Sequence, residues 1–244
     1  MRLAPLFLLA ALLLVALPVE AQQISVDFGG EGEGTLAGRS IQLLLLVTVL
    51  SLVPGLLVMI TCFPFLVTVL SILRQGIGLQ QSPPNMLIVT LALFLTYFVM
   101  EPVFTEAWTT GITPLVDGQV EVEEGVMRAL APFREFMAAR VSPDTYAALA
   151  DLRPDTAGTD LAPDSPLSML VPSFLLSEIG RAFEVGFLVF LPFLIIDLVV
   201  AAILMSMGMM MVPPAIVSLP FKLAFFAVAD GWTLISGALV RGYV

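Results

Sequence analysis

Four long apolar stretches dominate the chain, separated by two short turns and one polar region. The first runs from about Ile41 to Leu73, longer than the ~20 residues that cross a bilayer, and Pro54-Gly55 and Pro64 interrupt it. A kinked or broken helix is expected there. "RQGIGLQQSPPN", Arg74 to Asn85, is a polar turn, and the second apolar stretch follows from about Met86 to Phe104. So short a connection predicts an antiparallel hairpin. Thr105 to Pro172 is the one long polar region. In its "EEGVMRALAPFREFMAAR", Val126, Leu130, Phe133 and Met137 recur at helical spacing and predict an amphipathic helix. "SPDTYAALADL" predicts a second, short helix with Ser142 as N-cap and Pro143 at its first position. "RPDTAGTDLAPDSP" reads as an acidic loop. The third stretch starts at Ser173, carries Glu178, Arg181 and Glu184 in its first turns, and is apolar from Val185 to Met205. The fourth spans about Ala215 to Val240. Helix breaks are expected at Pro54, Pro64, Pro192, Pro213 and Pro214.

Composition turns this pattern into a membrane protein. Of 244 residues, 59% are apolar and 12% charged, against about 45–50% and 25% in soluble domains. Mean hydropathy is +1.02. The fold class expected is an all-α membrane protein: kinked helical hairpins from about four hydrophobic segments, with a small helical extracytoplasmic domain. The start, "MRLAPLFLLAALLLVALPVEAQQ", has Arg2, an apolar run and a small-x-small site at Val19-Glu20-Ala21. It predicts a signal peptide over residues 1–21, the alternative being a first membrane anchor. A flexible Gly-rich acidic tail over residues 22–40 follows. Residues 41–104 and 173–244 then form two hydrophobic hairpins around the acidic region, residues 105–172. Four spans place both termini and the acidic region outside, and leave Arg74 and Lys222 at cytoplasmic turns. That agrees with the positive-inside rule.

Charge and missing residue types narrow the function. The net charge is −10, and Thr105 to Pro172 holds eleven carboxylates against four arginines. No nucleic-acid partner is expected, because phosphate binding needs a basic surface. There is no His, a single Cys62, and a single Lys222 with no Gly-rich loop before it. His-based catalysis, thiolate metal sites and a Walker-type phosphate site are therefore excluded. No enzyme activity, cofactor or metal is expected.

Several residues are costly where they stand. Asp197 lies inside an apolar helix, where an ionised group costs about 2.5–3.5 kcal/mol on insertion scales, so it should face protein or water. It shares a helical face with Gly186, Ala201 and Gly208, which favours close packing. Lys222 and Asp230 occupy the fourth stretch, Asp230 on a face with Thr233 and Gly237. A Lys222–Asp197 or Lys222–Asp230 pair would neutralise both partners, either as packing glue or as part of a proton or ion path. Glu178, Arg181 and Glu184, three apart, form either a solvated helix entrance or ion pairs between subunits. Met207, Met209, Met210 and Met211 precede Val212-Pro213-Pro214. Such flexible apolar side chains are either a lipid-facing helix end or a deformable constriction.

"FPFLVTVLSILRQGIGLQQSPPNMLIVTLALFLTYFVMEPVF" and "FEVGFLVFLPFLIIDLVVAAILMSMGMMMVPPAIVSLPFKLAFFAVADGW", together with the leader, resemble the FliP family of flagellar biosynthesis proteins, over Phe63 to Phe104 and Phe183 to Trp232. The resemblance implies a core subunit of the type III secretion export gate in the bacterial inner membrane at the flagellar basal body, with the acidic region periplasmic. It implies a pentamer completed by FliQ and FliR around a channel for unfolded flagellar proteins. It also implies that Met209, Met210 and Met211, with Met207 adjacent, form a gasket in that channel. The family's hairpins need not cross the bilayer fully once assembled. The virulence-type paralogue shares these motifs, and the leader favours the flagellar member. From other classes, the residues also allow a small proton-coupled transporter using Asp197, Lys222 and Asp230, or a periplasmic adaptor acting through residues 105–172.

Overall fold

The structure, a computed structural model, describes residues 36–79, 83–154, 156, 158–209 and 211–243. The expected signal peptide, most of the expected tail and Met210 lie outside them. The chain falls into two units, residues 1–47 and 48–244, each taken by itself. Among the described residues every regular element is helical. We number them α1 (Leu36–Met59), α2 (Phe63–Ile77), α3 (Asn85–Ala107), α4 (Thr113–Val116), α5 (Val122–Arg140), α6 (Pro143–Ala150), α7 (Leu167–Ser206), α8 (Pro214–Val228) and α9 (Gly231–Arg241). A π-helical turn, Trp108–Ile112, joins α3 to α4. Among the described residues three stretches are long and apolar enough to cross a membrane: Ile41–Met59, Asn85–Val116 and Leu167–Ser206. The bent pair α8–α9 is long and apolar enough for a fourth only if both helices are taken as one broken span, the alternative being a re-entrant loop.

The first apolar stretch is broken as expected, at a different place. Pro54 lies inside α1, which continues through it. The break falls at Ile60–Cys62, where the Thr61 hydroxyl donates to the Val58 carbonyl at 2.7 Å and accepts from the Phe63 N–H at 3.3 Å. Pro64 then sits in the first turn of α2, where its missing N–H costs no helical bond. The described side chains of α1 from Ile41 to Leu57 are all exposed, as suits a helix apolar all round in lipid.

Helix α7 is the spine. It begins at Leu167, earlier than the Ser173 expected, and runs 40 residues through both Pro172 and Pro192. Pro192 is therefore not a break. A proline removes one backbone bond and crowds the preceding turn, and here the turns on either side carry the helix on. α2 lies alongside α7. A Cβ on Gly186 would stand 2.4 Å from Ile72 Cδ1, and one on Gly76 would stand 3.0 Å from Phe193 Cδ2. Ile72 thus faces Gly186, and Gly76 faces Phe193, so the two helices run parallel.

The acidic region packs on these helices. α5 lies against α3 and α7, and α6 against α7. Its buried stripe is Gly125, Pro132, Phe133 and Met137, so Val126, expected on that face, is exposed. The cause is Gly125, where a Cβ would stand 2.9 Å from Leu115 Cβ. This close approach to α4 fixes the rotation of the first turn. Ser142 is the N-cap of α6, but its hydroxyl makes no capping bond. Its N–H donates to Ser177 Oγ on α7 at 2.9 Å.

The fourth apolar stretch is not one helix. α8 and α9 meet at 62° around Asp230, which adopts φ 47, a left-handed conformation that Asp tolerates better than most residues. Gly231 follows, buried, and a Cβ there would lie 2.1 Å from the Phe226 ring. That ring packs edge-on to Trp232 with centroids 5.3 Å apart. Phe226 folding over a bare glycine holds the bend.

Candidate functional site

Three groups of sequence-selected residues lie at separate levels of α7. The first surrounds Glu178, whose side chain is 0% exposed. Arg140 at the end of α5 donates from Nε to Glu178 Oε1 at 3.2 Å, and from Nη1 to the Gly242 carbonyl at 3.1 Å. The Tyr243 hydroxyl donates to Glu178 Oε2. The Tyr243 ring lies under the Arg140 guanidinium, 3.9 Å from Cζ to centroid, and packs against Phe65 and Phe136. Burial pushes the Tyr243 hydroxyl far above the ordinary phenol range, and the Glu178 charge adds to it. Of the residues expected here, Arg181 stands 3.9 Å from Glu178 Oε1, outside hydrogen-bond distance, and Glu184 is exposed. The real partners, Arg140 and Tyr243, come from the acidic region and the C-terminus. The Arg140–Gly242 bond places that end of the chain beside the acidic region.

The second group sits about five turns further along α7. Lys222 of α8 donates to Asp197 Oδ2 at 2.6 Å and to the Gly76 carbonyl at 3.0 Å. Ser218, one turn before Lys222, donates to Asp197 Oδ1 at 2.5 Å. Lys222 is 5% exposed, so its charge is held by these contacts. Gly76 lies in the last turn of α2, whose free carbonyls favour a cation. One side chain thereby joins the end of α2 to both arms of the α7–α8 hairpin. Of the two pairs the sequence allowed, this is the one formed. Asp230 is exposed and accepts from Thr233 Oγ1 at 3.2 Å. Gly186 packs closely, as its face predicted, whereas Gly208 lies beyond the end of α7.

The third group is the loop between those arms. α7 ends because Gly208 takes φ 77. The Gly208 N–H donates to the Met205 carbonyl and the Met209 N–H to the Leu204 carbonyl, both at 3.0 Å. This is a Schellman ending, which glycine enters without a Cβ penalty. The helix is finished before the prolines: Pro213 and Pro214 instead cap and open α8. They set the fixed φ of its first turn and do not stop α7. Met207, Met209 and Met211 are exposed, Met211 at 97%. Between the arms, next to the loop, lies an apolar groove of about 410 Å³, lined by residues that include Val200, Ile203, Leu204, Val217 and Phe221. Among the described residues no group of His, Cys, Asp and Glu could hold a metal ion.

The chain is similar to known proteins along most of its length. The FliP family model matches residues 46–239. The flagellar biosynthetic protein FliP of Caulobacter vibrioides is 47% identical, covering 99% of this chain and 91% of that protein. That of Agrobacterium fabrum is 46% identical, with 97% and 98% covered. That of Bacillus subtilis is 44% identical, with 84% and 92% covered.

Proposed function

Since the chain belongs to the FliP family, we propose that it is a core subunit of the flagellar type III protein export gate, acting as a pore wall and not as a catalyst. The observation that carries this reading is the α7–α8 hairpin. It presents exposed Met207, Met209 and Met211 on a turn whose base is fastened by Lys222, Asp197 and Gly76. Methionine is unbranched and polarizable, so it adapts to irregular contacts. A ring of such loops from several copies closes a resting pore with apolar side chains and yields to any passing chain. Copies of this chain assemble as a pentamer with FliQ and FliR, in the inner membrane at the flagellar basal body. The acidic region and the C-terminus face the periplasm, and unfolded flagellar proteins pass through the lumen. The relatives described above all carry the flagellar name, which favours this member over the virulence-type paralogue.

The proton-coupled transporter fares worse on geometry. It needs Asp230 near Asp197 and Lys222, yet Asp230 is at the α8–α9 bend with Thr233. Replacing Met209, Met210 and Met211 together with alanine tests the gasket. The expected result is a complex that still assembles, with a membrane that now leaks small ions. A tight membrane around assembled complexes carrying the triple substitution would refute the assignment.

A further inference from the structure

The methionines divide sharply by exposure. Met100, Met137 and Met169 are buried in the core. Met205, Met207, Met209 and Met211 are all exposed, and all stand on the last turn of α7 or the loop after it. Met59, Met86 and Met127, the other exposed methionines among the described residues, stand singly on α1, α3 and α5. From Leu198 to Phe221 the chain carries no ionisable residue. The two hydroxyls of that stretch already donate, Ser206 to the Ile203 carbonyl at 2.7 Å and Ser218 to Asp197 at 2.5 Å. The backbone N–H groups of Gly208, Met209 and Val212 are likewise taken, by the Met205, Leu204 and Met209 carbonyls. A new acceptor formed on these side chains would turn to water for its donors.

Oxidation makes such an acceptor. A thioether lone pair attacks one oxygen of a hydroperoxide, and an S–O bond forms as the O–O bond breaks. Sulfur gives up two electrons, and the proton on the transferred oxygen moves to the departing hydroxide, which leaves as water. The product, a sulfoxide, is polar where the thioether was apolar, and it disrupts methionine-rich contacts. We propose that Met205, Met207, Met209 and Met211 are a site of oxygen transfer from hydrogen peroxide, and that their sulfoxides hydrate and loosen the seal. The second half of this inference rests on the gasket reading above. Peroxide is little larger than water, so a water-filled lumen delivers it to the loop. The turn itself is held by backbone bonds and by Lys222 at its base, so oxidation changes the surface of the loop and leaves the hairpin in place.

The test treats the assembled complex of the full chain and its partner subunits with hydrogen peroxide. Peptide mass spectrometry should show one added oxygen on Met207 and Met211 roughly tenfold faster than on Met100, Met137 and Met169. Loop methionines that react no faster than the core ones overturn the site, whatever the gate does. In vesicles holding the complex, peroxide should raise potassium efflux several-fold. The M205L/M207L/M209L/M210L/M211L variant keeps apolar side chains of similar volume and loses the sulfur. Whatever its resting leak, it should show no further rise on peroxide, whereas M127L should respond as the wild type does. A tight membrane around complexes with an oxidised loop overturns the proposal, and so does an undiminished rise in the leucine variant. The alanine triple variant separates the two readings. If it leaks and the oxidised wild type does not, this inference alone falls; if both are tight, the gasket falls as well.

Discussion

Removing Lys222 and Asp197 together should cost clearly less than the sum of removing each alone. In Lys222→Ala, Asp197 loses a cation at 2.6 Å and Gly76 loses its donor at 3.0 Å. The gross attraction at such a distance is about 6 kcal/mol at an effective dielectric of ~20. Desolvation offsets much of it, and breaking one side of a buried pair costs about 3–5 kcal/mol because the other charge is stranded. The Asp197 side chain is 32% exposed, so water reaches it, and Lys222→Ala should fall near ~3 kcal/mol. Asp197→Ala strands a lysine that is 5% exposed and should fall nearer ~5 kcal/mol. The double variant strands no charge. Its cost should be less than the sum of the singles by at least ~2 kcal/mol, well beyond the ~0.5 kcal/mol scatter of independent sites. Unfolding free energies from SDS titration of the purified full-length protein measure all three. Single-variant losses that simply add would show that the two side chains do not act as one unit, and the fastening of the hairpin would fall with them.

Tyr243→Phe removes one donor from a buried carboxylate and should cost about 1.5–3 kcal/mol in the same titration. Tyr243→Ala should cost more, because the Phe65, Phe136 and Arg140 contacts go too. Gly231→Ala forces a Cβ against the Phe226 ring and should cost about 1–3 kcal/mol, whereas Gly180→Ala, in open space, should be silent. Cys62 is 0% exposed, and burial pushes its thiol up to about 12. Iodoacetamide at pH 8 should therefore leave it unmodified until SDS is added. Its raised value favours the protonated, folded form, so that contribution is whole below about pH 9 and fades as pH climbs toward 12.

Much of the fold was legible in the chain because lipid imposes a strong rule. Backbone polar groups in hydrocarbon must be satisfied within their own segment, so apolar length alone announces helices. The amphipathic helix in the acidic region and the Met-rich turn were legible for similar local reasons. The ends of the helices were not. Prolines marked the expected breaks, yet Pro54 and Pro192 lie inside continuous helices. The turns that redirect the chain at Gly208 and Asp230 depend on positive φ. The bend at Asp230 needs Phe226 closing over Gly231, a contact no local pattern reveals. The charges divide in the same way. Sequence required that Asp197 face protein or water and allowed Lys222 to pair with it, because an unpaired charge in an apolar helix is costly, and it left Glu178 either solvated or ion-paired. Which partners they found was a matter of tertiary structure. Arg140 and Tyr243 reach Glu178 from 38 and 65 residues away, and the Gly76 carbonyl meets Lys222 across 146. Only the parallel packing of α2 on α7, and the return of α9 to the acidic region, bring those groups within reach.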